Sequence, residues 1–447
     1  MSYVYYPDAR PMTRAHRFPW PVFLFLSLAF FLTFHWPPEA QRTLDDYNTS
    51  QEQIVAGVAA GSAVRQIVFI VLGVVAIISL VSRPADRRLR IDGLMGWLLV
   101  GFAAWALMSS MWSEDLPLTL KRLASFGILC VVAVAVVRRF SLREVLMWTF
   151  FTTALFLMIA VAVEVLSGAF QPFASGYRFS GTQHPNGEGV ECGLLLLSGL
   201  AAAKGEKHRR WLFGAFALLG FVFLILTASR TAFAATLLGL AVYVAAVSSR
   251  KTKTLTVPAF GILACLLLLF VGTGSSRELE SALSLGRDDA GNVASYGGRT
   301  TIWEDVTPYI REHPIVGYGY GAFWTPTHIS VISEEEKWGV PDSHSAYVDY
   351  LLMLGAVGLI LYLLCLFAGL WRVLGFYRLT RDPHLAFLAG LLIFCIVNGF
   401  SESAIAEGSL LTFLSLIVLM RLAFVPLEET RRIAAESRSR HEEVCPA

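Results

Sequence analysis

Three arginines in this sequence stand beside turns or predicted helix ends, where an anion could be bound. Arg178 precedes the turn at 184–187, and Arg230 lies in a tight hairpin between two apolar runs. Arg299 follows two glycines and stands at the start of a predicted helix. A guanidinium group makes bidentate, charge-assisted hydrogen bonds with phosphate, and the free N–H groups of a helix start also favour anions. Together the arginines predict a phosphate or diphosphate site, although each alone is also typical of a turn or a lipid-phosphate contact.

A histidine and several carboxylates are candidates for a general base. His344 stands at the mouth of a long apolar run, and histidine titrates close to neutral pH. Asp342 lies two residues before it. Glu188 and Glu191 begin another apolar run and share one face of a helix, because they are three residues apart. A hydrogen bond to a neighbouring helix is the structural alternative for Glu191, and a structural role is an equal alternative for His344.

Aromatic and glycine-rich segments accompany these charged residues. The segment 317–321 alternates glycine with tyrosine. Glycine lets the backbone approach a bulky ligand and tyrosine rings stack on sugar faces, so the pattern suits a diphosphate joined to a sugar. The alternative is a structured loop in which the glycines only serve turns. The candidate substrate-binding residues are Arg178, His184, Asn186, Trp303, Tyr318 and Tyr320.

The elements that must position these residues are apolar blocks of about 20 residues, the length that crosses a bilayer. Hydrophobic residues make up 55% and charged residues 16% of the 447, against about 45–50% and 25% in soluble domains. The sequence therefore predicts an all-α, polytopic membrane protein with about 12 transmembrane helices. The predicted spans are residues 18–35, 64–82, 92–111, 118–137, 145–167, 187–203, 211–228, 231–249, 254–273, 346–370, 384–401 and 408–424.

The distribution of lysine and arginine predicts how these spans are oriented. Most of the 36 basic residues fall in alternate loops, which places both termini in the cytoplasm and the candidate site outside. The chain then divides into a bundle of about nine spans (1–273), a partly helical outer loop (274–345), three further spans (346–424) and a cytoplasmic tail (425–447). A helix is expected from Thr300 to Glu312, where apolar residues recur at helical spacing.

Several function classes do not fit the composition. A net charge of +2 without a basic aromatic face does not favour nucleic-acid binding. The six cysteines form no CxxC or Cys/His cluster, so neither a disulfide framework nor a metal site is expected. Two acids that flank the last short outer loop, Glu402 and Glu407, are expected to be solvated.

The motifs resemble, in order, those of the O-antigen ligase/polymerase superfamily. The runs 298–303 and 319–324 look most like those of exopolysaccharide polymerases of the ExoQ type. Ser345 follows the histidine where many polymerases have asparagine, which leaves polymerase and ligase both open. The four motifs are Arg178…His184-Pro185-Asn186, Ser229-Arg230, Arg299…Trp303…His313-Pro314…Gly317-Tyr318-Gly319 and His344-Ser345 with Gly355 and Gly358.

The resemblance implies inverting glycosyl transfer from a polyprenyl-diphosphate-linked glycan, without a metal or other cofactor, at the outer leaflet of a bacterial inner membrane. Arg178, Arg230 and Arg299 would stabilise the diphosphate leaving group, and His344 would position or deprotonate the acceptor hydroxyl. The expected function is polymerisation of glycan repeat units, with a flippase and a chain-length regulator as partners. The alternatives are a ligase that transfers glycan to lipid A core and a lipid-linked glycan transporter, which the absence of an internal repeat disfavours.

Overall fold

In a computed structural model, residues 19–35, 62–82, 89–174, 176–248, 299–403 and 408–426 are described, and all their regular structure is helical. The all-α prediction is therefore confirmed for these residues. The helices are α1 (Trp20–Phe34), α2 (Ala63–Ser82), α3 (Gly93–Met108), α4 (Leu116–Arg139), α5 (Leu142–Ser167), α6 (Pro185–Gly205), α7 (Arg210–Leu226), α8 (Arg230–Val247), α9 (Arg299–Glu312), α10 (Pro326–Glu336), α11 (Ala346–Thr380), α12 (Pro383–Asn398) and α13 (Leu410–Phe424).

Six of the helices are long and apolar enough to cross a membrane, namely α2, α3 with its 3₁₀ extension to Met111, α4, α5, α8 and α11. Four shorter apolar helices, α1, α7, α12 and α13, coincide with other predicted spans, and α6 lies on the predicted sixth span. The predicted ninth span, 254–273, lies outside the described residues. The chain is a multi-pass helical membrane protein, and the total of twelve spans stays a prediction.

The helices differ in which surface they expose, as expected of a bundle within lipid. On α2, Ile67, Ile70 and Val74 are exposed, whereas α13 is buried almost all round. Close helix packing depends on small residues: a Cβ atom on Gly239 of α8 would lie 2.8 Å from the carbonyl oxygen of Gly390 on α12. Apolar surface on the rim and small residues inside are what a membrane bundle requires.

The described part of the long loop, 299–345, has an apolar core of its own. Helix α9 contributes Ile302 and Val306, both fully buried, which confirms the helix predicted from Thr300 to Glu312. The other buried members of this core are Tyr318, Phe323, Trp324, Ile329, Ile332, Val340 and Leu352. The earlier part of the predicted loop, 274–298, lies outside the described residues.

A break in α11 attaches the loop to the bundle. Gly355 has a φ of +65°, a conformation that side chains disfavour, and the helical backbone is interrupted there. The loop backbone bonds at this point, since Ala356 donates its N–H to Pro314 (2.9 Å) and Tyr318 donates its N–H to Leu352 (2.8 Å). The loop is thereby fixed on the same helix that begins directly after His344.

Candidate functional site

The segment that carries Arg178 is ordered by a buried carboxylate. Glu164, in the last turn of α5, is 1% exposed, and its Oε1 accepts the backbone N–H groups of Ser180 and Gly181 at 2.8 Å each. The hydroxyl of Tyr177 donates to its other oxygen. A buried carboxylate needs such donors, and here they fix the backbone on both sides of Arg178.

Arg178 and Asn186 lie next to each other across the turn that begins α6. The Nε of Arg178 donates to the carbonyl of Thr227 (3.0 Å), and its Nη2 donates to Oδ1 of Asn186 (2.9 Å). The amide nitrogen of Asn186 in turn donates to Oε1 of Glu402 (2.7 Å). The turn after α5 is thus connected to the loop between α12 and α13.

Glu402 is the centre of the arrangement, and the expectation that it is solvated is wrong. Only 12% of its side chain is exposed, and its Oε1 lies 2.6 Å from Nη2 of Arg299. Desolvation raises the pKa of Glu402, and the positive charge of Arg299 opposes that shift. The residue is buried because the loop packs over it and because two cationic segments converge there.

His344 is held in a constrained backbone conformation beside this cluster. Its φ is +51°, unusual for a residue with a side chain. Its N–H donates to Oδ1 of Asp342 (2.7 Å), and its Nδ1 lies 3.4 Å from the same oxygen. The ring also stacks on Trp338. These contacts fix the imidazole beside a carboxylate that can orient it.

A second buried carboxylate joins the segment of His344 to the segment of Glu402. Asp349, in the first turn of α11, accepts the N–H of Ser343 (3.3 Å), the hydroxyl of Ser403 and the indole N–H of Trp324 (2.9 Å). Ser343 and Ser403 are the chain neighbours of His344 and Glu402. Asp349 therefore links the candidate base to the arginine cluster. By this cluster we mean Arg178, Arg230 and Arg299 with Asn186 and Glu402.

His184, the residue that caps α6, reaches solvent at the edge of the cluster. Desolvation by the surrounding protein and the positive charge of Arg178, followed by that of His344, lowers the pKa of His184 well below its ordinary value. Its Nδ1 accepts the backbone N–H of Asn186 (3.3 Å). A neutral His184 can offer a hydrogen bond to a sugar or phosphate without adding charge.

Arg230 is the first residue of α8, directly after the turn at 227–229. The hydroxyl of the next residue, Thr231, lies 2.6 Å from that of Ser401, which precedes Glu402. The predicted tight hairpin between α7 and α8 is therefore confirmed, and it borders the same loop as the other two arginines.

The three aromatic candidates lie in different surroundings. The indole N–H of Trp303 donates to the carbonyl of Ser343 (2.9 Å), so it supports the turn of His344. Tyr318 is 6% exposed in the loop core, where its hydroxyl donates to Glu312, and it offers no ring face to a sugar. Tyr320 lies away from the arginines, against Phe126 of α4.

The carboxylates Glu188 and Glu191 are buried below the turn that carries His184. Oε1 of Glu188 accepts the N–H (2.9 Å) and the hydroxyl (3.0 Å) of Thr182. Oε1 of Glu191 lies 2.9 Å from Nε2 of His35, at the end of α1, and Nδ1 of His35 contacts Thr182. Both acids are bound to protein groups that shape the turn, which is the structural alternative considered for Glu191.

Sequence reasoning missed Glu164, Asp349 and Glu402. Each lies within or beside an apolar run, at a position where an acid is costly unless it has partners. An acid at such a position is therefore a candidate for a structural or functional role. We drew this inference from the sequence for Glu188 and Glu191 but not for these three. The partners themselves could not be found, since Arg299 and Glu402 are 103 residues apart in the chain.

Comparison with known families identifies the middle of the chain. Residues 215–363 match the family Wzy_C, described as O-Antigen ligase. The matched region includes Arg230, Arg299 and His344, whereas Arg178 and Glu402 lie outside it. Comparison with curated proteins gives no match. The family resemblance seen in the motifs is confirmed over this region, and the ExoQ-type branch stays a prediction.

Proposed function

We propose that the chain, in which residues 215–363 match the O-antigen ligase family, is a membrane glycosyltransferase that polymerises lipid-linked repeat units. Its donor is a polyprenyl-diphosphate-linked oligosaccharide in the outer leaflet of a bacterial inner membrane, and its product is an exopolysaccharide or O-antigen. The observation that carries the proposal is the continuous chain of hydrogen bonds Arg178–Asn186–Glu402–Arg299 beside His344.

The arginines serve the leaving group. When the bond between the sugar C1 and the diphosphate oxygen breaks, its electron pair stays on the diphosphate, whose charge grows. Arg178, Arg299 and Arg230 supply fixed positive charge for that oxygen, the arrangement with the largest catalytic effect in most active sites. Glu402 and Asn186 hold two of these guanidinium groups in place before substrate arrives, so little reorganisation is needed during the reaction.

His344 serves the acceptor. Its imidazole takes the proton of the acceptor hydroxyl as the oxygen bonds to C1 from the face opposite the diphosphate, and this single displacement inverts the anomeric carbon. Asp342 orients the ring and stabilises its protonated form. Glu188 and Glu191 are less suited to this role because both are occupied by Thr182 and His35.

A second candidate function is ligation of finished glycan to lipid A core. The description of the matched family favours it. The resemblance of 298–303 and 319–324 to ExoQ-type runs favours polymerisation instead. The chemistry is shared, and only the acceptor differs. A flippase that delivers the donor and a chain-length regulator are the partners that either activity implies.

The test uses a strain that lacks this protein and is complemented with wild type, Arg299→Ala or His344→Ala. The size of its glycan and the amount left on the lipid carrier are measured. Polymerase activity predicts that both variants leave single repeat units on the lipid carrier, with no long polymer. Full-length polymer that accumulates on the carrier would instead establish a ligase. Repeat units that stay on the cytoplasmic face would establish a transporter, and full complementation by both variants would overturn the proposed active site.

A further inference from the structure

A cavity of about 740 Å³ is lined by Asp342, the carboxylate beside His344, and by none of the three arginines of the arginine cluster. It is bounded by α1, α2, α4, α11, α13 and the outer loop. We call it the basic cavity, because Arg65, Lys121 and Arg122 line it. We propose that the basic cavity binds the lipid-linked phosphate of the acceptor, so that donor and acceptor occupy separate cationic sites on the two sides of His344.

Two of the three cations of the basic cavity, Lys121 and Arg122, are available to a ligand. Among the described residues, no hydrogen bond or ion pair engages the side-chain nitrogens of Lys121 or Arg122. Arg65 is fixed differently, since its Nε donates to the carbonyl of Thr33 (3.1 Å) and its guanidinium lies 5.7 Å from the ring centre of Phe34. Cations that the protein does not pair are suited to an incoming phosphate, and Lys121 and Arg122 both line the wall of this one cavity.

The remainder of the wall suits a hydrocarbon chain. Phe69 and Ile70 of α2 and Ile128 of α4 line the cavity together with Met353 of α11. Ile70 is 60% exposed on the lipid-facing side of α2. An apolar wall that continues to the membrane surface, with cations at one end, matches a phosphate carried on a lipid better than it matches a soluble phosphate.

The position of the cavity assigns its occupant to the acceptor. Asp342 lines the cavity, accepts the backbone N–H of His344, and lies 3.4 Å from its ring nitrogen Nδ1. A lipid-linked phosphate at Lys121 and Arg122 therefore directs its attached sugar toward the group that removes a hydroxyl proton. Tyr320 is largely buried in the wall of this cavity against Phe126, so it shapes the cavity and, like Tyr318, offers little ring face to a sugar.

This inference rests on the proposed function, and two measurements separate the failure of one from the failure of the other. The first is equilibrium binding of fluorescent undecaprenyl phosphate to the full chain in zwitterionic nanodiscs, which requires no catalysis. The second is the rate of glycan transfer at saturating donor, with an acceptor whose sugar is joined through carbon to a lipid phosphonate. That acceptor can receive glycan but cannot donate it.

The test variant is the double substitution Lys121→Ala with Arg122→Ala, and the matched control is Arg311→Ala, an exposed cation of α9 outside the cavity. We expect the double variant to lose one of two binding sites for the probe and to raise the KM for the acceptor at least tenfold, with kcat changed less than twofold. The charge-conserving pair Lys121→Arg and Arg122→Lys should restore most of the affinity, and the control should resemble wild type.

Four outcomes decide the inference. Unchanged probe binding and unchanged KM in the folded double variant would overturn it and leave the proposed function intact. If phosphatidylglycerol displaced the probe as well as unlabelled undecaprenyl phosphate does, the cavity would be an ordinary headgroup site and the inference would be wrong. If inorganic diphosphate displaced it equally well, the cavity would be a free-phosphate site and the inference would again be wrong. Loss of one probe site in the double variant, in a protein that transfers no glycan, would support the cavity as a lipid-phosphate site while the proposed function fails.

Discussion

The arginine cluster differs from Lys121 and Arg122 of the basic cavity in how the protein holds the cations. In the cluster, Arg178 donates to Asn186 and Arg299 donates to Glu402. In the cavity, Lys121 and Arg122 have no such partner among the described residues. A guanidinium held by a protein acceptor is positioned before substrate binds, which favours stabilisation of a transition state. An unpaired cation adds binding energy without fixed geometry, which favours capture of a substrate.

The comparison extends to the carboxylates. Glu164 and Glu402 are both largely buried, but Glu164 accepts neutral donors whereas Glu402 accepts a guanidinium and an amide. The first fixes backbone, and the second fixes a charge. Variants in the cluster should therefore change kcat, and variants in the cavity should change KM.

Among these substitutions, replacement of His344 by glutamine should lower the rate of glycan transfer most. Glutamine keeps a polar side chain but cannot take a proton, and loss of a general base lowers rates by about 10²–10⁴-fold. We expect kcat for glycan transfer to fall by about 10³-fold with little change in probe binding. Lys121→Ala, measured in the same assay, should leave kcat within twofold. A similar fall in both variants would contradict the division between the two regions.

Replacement of Arg299 by alanine removes one charge from the developing diphosphate and should lower kcat by about 10²-fold. Arg299→Lys keeps the charge but lacks the planar fork, so it should recover only part of the rate. The measurement is transfer by purified protein at saturating donor and acceptor. Full recovery of the rate by lysine would show that the planar guanidinium is not needed at this position. Charge alone would then be sufficient in the cluster, as we propose for the cavity.

Replacement of Gly355 by alanine should weaken the attachment of the outer loop to α11. Both the arginine cluster and the basic cavity include residues of this loop. A Cβ atom there would collide with the backbone of Ile315 and Val316, and a side chain disfavours φ of +65°. Such strain costs about 1–3 kcal/mol, so thermal unfolding should occur at a lower temperature. Gly375→Ala on the same helix is the control, because nothing lies within 4 Å of its Cβ position. Equal stability of the two variants would rule out docking at Gly355 as a source of stability.

Replacement of Glu402 by glutamine should have the smallest effect at neutral pH, about tenfold, because the bond to Arg299 loses charge assistance of roughly 1.5 kcal/mol. The pH profile is more informative. Since burial raises the pKa of Glu402, the residue protonates at a higher pH than the ordinary value of about 4.3, and Arg299 then loses its ion partner. The transfer rate of wild type should fall with acid in that range.

In Glu402→Gln the part of this acid decline that depends on the carboxylate should disappear, whereas any part that depends on the base His344 should remain. The other charged groups that act on Glu402 are His344, Asp342 and Arg178. If the difference in acid between wild type and Glu402→Gln is the same when both also carry Asp342→Asn, Asp342 is excluded as its source. An unchanged decline in Glu402→Gln would show that another group controls the rate.

The sequence by itself determined the features that depend on local periodicity and residue type. Apolar blocks of bilayer length marked the described spans, and helical spacing identified α9 over Arg299–Glu312. The tight hairpin before Arg230 followed from the lack of a loop between two apolar runs. The arginines and His344 are predicted as site residues because few residue types can bind a diphosphate or move a proton at neutral pH. All of these features depend on residues that are close together in the sequence.

Only the tertiary structure decided which of these groups meet. The contact between Arg299 and Glu402 joins residues 103 positions apart, and Asp349 joins the segments of His344 and Glu402. The same packing buries Tyr318 in the loop core and gathers Arg65, Lys121 and Arg122 around one cavity. Local periodicity specifies which face of a helix is buried but not what it is buried against, because partners are selected by the packing of distant segments.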